Sequence, residues 1–115
     1  MNNRQRMRAS NKLVREWLLK NSYDEIWFKP HGKRNDYVFT QRGSYMAQDI
    51  WNLFDGICIR EGVITFLQMK TNAWAKGSDF VKFKNKTIMT DILSFNVTNA
   101  LKECGGKYKV FVREY

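Results

Sequence analysis

The stretch Asp49-Ile-Trp-Asn-Leu-Phe-Asp55-Gly-Ile-Cys-Ile-Arg60-Glu-Gly-Val-Ile-Thr-Phe-Leu-Gln68-Met-Lys70-Thr71 decides the fold. Residues 56–60 and 63–70 are apolar runs rich in β-branched and aromatic side chains, and Glu61-Gly62 between them is a turn pair. Together they predict a β-hairpin over 56–70. The apolar character is nearly continuous, as expected of strands covered on both faces. Side chains alternate along a strand, so Ile64, Phe66, Gln68 and Lys70 share one face. Hairpin pairing also sets the start of the first strand beside the end of the second. Asp55, Gln68 and Lys70 therefore converge, although 13 and 15 positions separate the carboxylate from the other two.

Working towards the N-terminus, Tyr37–Thr40 is a second short piece of strand, and Gln41–Gln48 reads as a polar loop broken by Gly43 and Ser44. Residues 31–36 form a basic turn that holds Lys33, Arg34 and the only histidine, His31. Ile26–Phe28 is a strand limited by Pro30. Leu13, Val14, Trp17 and Leu18 make a one-sided stripe that predicts a helix over about 10–21, N-capped by Ser10. Glu16 falls outside the stripe, on a face shared with Lys12 and Lys20. Residues 1–10, with Arg4, Arg6 and Arg8, read as a basic arm or as the first turn of that helix.

Beyond the hairpin, residues 71–86 are polar and basic, with Lys76, Lys82, Lys84 and Lys86 around Trp74, Phe80 and Phe83. Met89, Ile92, Leu93, Val97, Ala100 and Leu101 follow a helical period and predict a second helix over about 88–103, stopped by Gly105-Gly106. Lys107–Tyr115 alternates as a strand. The order α, β, hairpin, α, β predicts a single mixed α/β domain, its last strand made parallel to a neighbour by a right-handed crossover.

Composition narrows the function. Lys plus Arg number 20 against 11 Asp plus Glu, and a net charge of +9 on so short a chain attracts polyanions. Nucleic acid is the first candidate and an anionic membrane the second. A hydrophobic share of 43% with one Pro excludes disordered and collagen-like classes. No stretch approaches the roughly 18–20 apolar residues of a membrane span, and no apolar core follows the N-terminal charges as a secretory signal would require. Cys58 and Cys104 lack CxxC spacing, which argues against zinc and for a free thiol at Cys58 in a reducing, intracellular setting.

Polar side chains on an otherwise apolar strand need partners, since burying them unpaired is costly. A hard divalent cation would supply one, taking the Asp55 carboxylate, the Gln68 amide oxygen and a backbone carbonyl such as that of Met69. Asp49 could add a second carboxylate if residues 49–54 turn back. Lys70 would then stabilise charge developing on a phosphate, while the cation lowers the pKa of an attacking water. Plainer roles stand beside these. Asp55 could satisfy a turn amide, Gln68 could be hydrogen-bonded within the sheet, Lys70 could reach solvent, Asp49 could sit on a surface turn, and Glu16 could pair with Lys12 or Lys20. Candidate phosphate contacts are Arg4, Arg6, Arg8, Lys33, Arg34, Arg42, Ser44, Lys76, Lys82 and Lys84.

These residues resemble the motif of the PD-(D/E)xK nuclease superfamily. Phe54-Asp55 stands where the family has Pro-Asp, and Gln68-Met69-Lys70 where it has acid-x-Lys. Within the superfamily the chain is most similar to archaeal and viral Holliday-junction resolvase-like endonucleases, which are small, basic and carry a glutamate on the first helix; Glu16 would be its counterpart. The resemblance implies a restriction-endonuclease-like fold with a core of helix, three-stranded meander, helix and strand in a mixed sheet. It implies Mg²⁺ or Mn²⁺ as cofactor, phosphodiester hydrolysis leaving a 5′-phosphate, branched DNA as substrate and a homodimer. Phe95, on the face of the predicted second helix away from its main stripe, is one candidate dimer contact. The implied catalytic set is Asp55, Gln68, Lys70 and Glu16; the implied metal ligands are Asp55, Gln68, Met69 and Asp49. Gln68 in place of an acid keeps an oxygen but removes a charge, which Asp49 or Glu16 would restore. The rival readings are a homing, repair or RNA nuclease of the same fold, a non-enzymatic nucleic-acid-binding protein on a decayed nuclease fold, and a basic assembly protein.

Overall fold

A computed structural model describes residues 3–30, 36–87, 90–99 and 108–115. Its elements run α1 (Asn3–Lys20), β1 (Asp24–Phe28), β2 (Asp36–Thr40), β3 (Gly43–Ala47), β4 (Gly56–Arg60), β5 (Val63–Thr71), α2 (Gly77–Lys84), β6 (Thr90–Asn99) and β7 (Tyr108–Glu114). The hairpin expected over 56–70 is β4–β5, in register from Gly56 opposite Leu67 to Arg60 opposite Val63. Glu61 and Gly62 close it with φ of 53° and 78°, the left-handed pair that matches strand twist in a two-residue loop.

Around this hairpin the sheet takes the order β1-β4-β5-β6-β7. β1, β4 and β5 form an antiparallel meander, β6 lies parallel to β5, and β7 is antiparallel to β6. β2 and β3 form a separate two-stranded hairpin inserted between β1 and β4.

Each face of the sheet carries a helix. On one side Val14 and Leu18 of α1, both fully buried, meet Cys58, Leu67, Leu93, Phe95 and Val97. On the other, Phe80 of α2 packs with Phe54 and Ile92, flanked by Phe66 and Phe83. α1 ends in a Schellman pattern: the Tyr23 amide donates to the Leu18 carbonyl at 3.0 Å and the Ser22 amide to Leu19 at 3.2 Å, with Ser22 at φ 68°. Among the described residues no helix is long and apolar enough to cross a membrane.

Several expectations are corrected. Residues 3–10 belong to α1 and are not a separate arm, and Ser10 is no N-cap: it is buried one helical repeat before Val14 and two before Leu18. Residues 43–47, read as loop, are β3, because pairing with β2 satisfies their backbone groups. The basic stretch after β5 contains α2, and α2, not residues 88–103, makes the crossover.

Residues 90–99 are strand, not helix. The spacing of Ile92, Leu93 and Val97 fits one helix stripe, but it equally fits a central strand buried on both faces. Ile92, Leu93, Ser94, Phe95 and Val97 are all buried, and β5 and β7 flank the strand on either side. Phe95 is therefore core, 0% exposed, and cannot be a dimer contact. The last strand is antiparallel to its neighbour, since the crossover ends one strand earlier. His31, Lys33, Arg34, Met89, Ala100, Leu101, Cys104 and Gly105-Gly106 lie outside the described residues.

Candidate active site

Asp55 stands at the entry to β4, fixed by backbone bonds from both neighbours. Its amide donates to the Leu67 carbonyl at 2.7 Å, and its carbonyl accepts from the Lys29 amide at 2.8 Å. Gly56 makes this approach possible, because a Cβ there would run into the Trp27 carbonyl of β1. The carboxylate turns to the end of β5, where Oδ2 accepts the Met69 amide at 2.8 Å. That amide lies two residues past Leu67, the last β5 residue paired with β4, so the side chain extends the ladder where β4 stops.

Asp49 reaches the same place through a tight turn. The Leu53 amide donates to the Ile50 carbonyl at 3.0 Å, and Trp51 and Asn52 occupy the central positions at φ 52° and 55°. Asn tolerates that region, but Trp rarely adopts it. The strained turn is held by Trp51 packing on Phe66 and Phe83, with ring centroids 5.5 and 5.1 Å away. The chain thus doubles back after Asp49, as restoring a second carboxylate requires. The Asp49 carboxylate accepts Lys29 Nζ at 2.9 Å.

A cleft of about 300 Å³ opens between this turn, the end of β5 and the start of α2. Asp49, Asp55, Gln68, Met69 and Lys70 line it, with Lys76 and Asp79 across from them. The convergence expected of Asp55, Gln68 and Lys70 is present. Burial is the main reason the Asp55 carboxyl is pushed up to about 6; the Met69 amide opposes this, the Asp49 charge adds to it and Lys29 lowers it. Such a carboxylate gains from an added cation.

Gln68 is buried, with both ends of its amide engaged. Oε1 accepts from Ser94 Oγ at 2.9 Å, and Nε2 donates to the Met69 carbonyl at 3.0 Å. The Met69 carbonyl fixes the orientation, since a flipped amide would oppose two oxygens. Both oxygens expected to ligate a metal thus have a protein partner, and each keeps a second lone pair.

Ser10 and Asn11 of α1 border Asp55, Met69 and Lys70 from the other side of the sheet end. Asn11 Oδ1 is buried without a hydrogen-bond partner, as is Asn96 Oδ1, whose residue pairs in register with Lys70. The donor set fits a hard divalent cation: two carboxylates, one of them short of counter-charge, with further uncommitted oxygens at hand. Among the described residues no three His, Cys, Asp or Glu side chains cluster, so carboxylates alone do not complete a coordination shell.

Glu16 is not brought to the cleft. It is exposed on α1, two residues from buried Val14 and so on the opposite face, while Ser10 and Asn11 take the place nearest Asp55. Of the expected phosphate contacts, Arg8, Arg42, Ser44, Lys76 and Lys82 are exposed. Arg4 and Arg6 lie in the first turns of α1. Lys84 is half-buried and donates to the Tyr115 carbonyl at 2.9 Å, away from the cleft.

Sequence reasoning missed Lys29, Ser94 and Asn11. Lys29 beside Pro30 carries no motif, and Ser94 was hidden by the helical reading of its strand. Asn11 carried a weak signal as an amide next to an apolar stripe. Comparisons with protein-family models, with curated proteins and with solved structures find no match.

Proposed function

We propose that the chain is a divalent-metal-dependent endonuclease that hydrolyses DNA phosphodiesters on a restriction-endonuclease-like frame of the PD-(D/E)xK type. The observation that carries this reading is the meeting of Asp49, Asp55, Gln68 and Lys70 in one cleft of a strongly basic chain. The frame adds support. Helix α1, the β1-β4-β5 meander, helix α2 and a strand parallel to β5 follow the order that the motif implies, with β2–β3 and β7 as additions.

Asp55 and Asp49 would hold Mg²⁺ or Mn²⁺, with Gln68 and Met69 contributing through their remaining lone pairs. When bound, the cation would supply Lewis-acid polarisation of the phosphate and a lowered pKa for the attacking water. The protein does the rest. Gln68, clamped by Ser94, fixes the Met69 carbonyl, and the Met69 amide fixes the Asp55 carboxylate. Lys70, exposed at the strand end, meets the scissile phosphate and stabilises charge as it develops. Lys29 neutralises Asp49 while no cation is present.

A four-way junction is the proposed preferred substrate, and a two-fold homodimer would cut its two strands symmetrically. A second reading, a non-enzymatic nucleic-acid-binding protein, is favoured by one observation: the Gln68 amide is satisfied within the protein. Cleavage of linear, nicked, flapped and four-way DNA with Mg²⁺, Mn²⁺ or EDTA separates the two. Metal-dependent cleavage that Lys70→Ala abolishes, with DNA affinity kept, is the expected result. No cleavage of any substrate with either metal overturns the nuclease reading.

A further inference from the structure

The β2–β3 hairpin is unusually apolar for a surface. Phe39 is 82% exposed, Tyr45 37% and Trp51, on the strained turn, 39%. Tyr45 pairs with Val38, so it stands on the face of the hairpin opposite Phe39 and shares a groove with Trp51. Such side chains clustered on a surface mark a binding site. A groove of about 640 Å³ runs between this hairpin and α2, lined by Val38, Tyr45, Trp51 and Phe83. Lys82 and Lys86, both exposed, stand on the rim together with Asp79. The groove shares Asn52, Leu53 and Asp79 with the cleft that holds Asp55 and Lys70, so the two are continuous.

We infer that this groove binds an unpaired nucleic-acid strand, stacking its bases on Tyr45 and Trp51 and setting its phosphates against Lys82 and Lys86. Three observations select that occupant. First, a chain of net charge +9 with two lysines on the rim complements a polyanion, against which Asp79 is a single opposing charge. Second, aromatic faces open to solvent offer what an unpaired base needs and a duplex cannot use, because paired bases already stack on one another. Third, a strand leaving the cleft meets the groove directly. Strand binding stands on the groove alone; the further step, that the groove feeds a phosphodiester beside unpaired bases to the cleft, rests on the nuclease reading. The preferred substrate would then carry an unpaired strand next to the cut.

The test measures binding of the full chain in EDTA, where no cleavage occurs, to fluorescent oligothymidylate and to a blunt duplex of equal length. Phe39→Ala, on the opposite face of the hairpin, is the control that should leave affinity unchanged; Tyr45→Ala changes an exposed position in the groove, and circular dichroism checks the fold of both. With Tyr45→Ala, single-strand affinity should fall about tenfold or more, as expected from the loss of base stacking, while duplex affinity moves less than about twofold. Lys82→Ala with Lys86→Ala should flatten the single-strand salt slope by about 1.4, from about 0.7 per phosphate. Equal loss on both ligands, or no loss on either, overturns the inference. So does a variant that turns a dimer into a monomer in sedimentation with single-strand affinity unchanged, since a second copy would then cover the hairpin. If no DNA is cut with metal but the hairpin variant still loses the single strand, the nuclease reading falls and the groove stands.

Discussion

Replacing Asp55 by Asn should stabilise the metal-free protein at neutral pH, although the residue sits at the centre of the proposed chemistry. Its carboxyl is raised from 3.8 to about 6, chiefly by burial. A carboxyl raised on folding binds more protons in the native state than in the unfolded one between those two values. Stability attributable to Asp55 is therefore complete below about pH 4 and is lost as pH rises through 6. Two units correspond to about 3 kcal/mol at most, from about 1.4 kcal/mol per unit. Partial exposure and the neighbouring Lys29 reduce the usable part to about 1–2 kcal/mol. Asn keeps an oxygen for the Met69 amide and removes the charge. Urea melts in EDTA should show Asp55→Asn about 1–2 kcal/mol more stable than wild type at pH 7.5 and nearly equal at pH 3.5. Adding millimolar Mg²⁺ should raise wild type and leave the variant unchanged, since only a state that binds the ion gains from it. A variant less stable by the same amount at both pH values would refute the reasoning and make Asp55 a plain acceptor that completes the ladder.

Three further outcomes are expected. Gln68→Glu should destabilise the metal-free protein by placing a second charge beside Ser94, and Mg²⁺ should restore it and bind more tightly; calorimetric titration showing no gain of metal affinity counts against ligation at this position. Binding to duplex DNA should weaken steeply with salt, with a slope near −4.5 if about 5 phosphates are neutralised, and a flat response contradicts a phosphate-binding surface. Phe95→Ala should cost about 3–5 kcal/mol in a chemical melt, because its ring is fully enclosed and packs edge-on against Trp17 at 5.4 Å; a loss under about 1 kcal/mol would place it at a surface.

The hairpin and the site were legible for one reason. Turn chemistry at Glu61-Gly62 fixes the register, and register alone brings position 55 beside position 69. Asp49 was legible only conditionally, because nothing in Trp51-Asn52 announces a turn in which tryptophan takes a left-handed conformation. Its cost is met by packing on Phe66 and Phe83, which come from elements elsewhere in the chain. Residues 90–99 failed for the opposite reason. A strand enclosed on both faces loses its alternation, and the pattern left, Ile92, Leu93 and Val97, has the period of a helix. The β-branched and aromatic content of Thr90, Ile92, Phe95, Val97 and Thr98 was the signal available against that reading. Glu16 failed through phase: the stripe on α1 that faces the sheet continues back through Ser10, which turns residue 16 outward.

What the local rules do not explain gathers in one place. Two consecutive left-handed residues precede a carboxylate whose burial raises it by about two pH units, as the shift from 3.8 to about 6 records. An amide oxygen on α1, that of Asn11, lies buried and unpaired, and its residue lines the same small cavity as Asp55. A lysine holds the second carboxylate across 20 residues of chain. The left-handed turn, the buried carboxylate and the unpaired amide each cost stability locally. A fold relieved of selection at this cleft would be expected to lose such features first, since substitutions that relax strain or neutralise a buried charge stabilise the chain. Gln68 stands apart, because both ends of its amide are satisfied. Its amide accepts from Ser94 and donates to the Met69 carbonyl, while the Met69 amide donates to Asp55, so the backbone of Met69 is held on both sides. Local consistency breaks around the cleft and holds in the apolar cluster under α1, where Val14, Leu18, Leu67 and Phe95 are packed. That contrast is the argument for the proposed nuclease over the proposed relic.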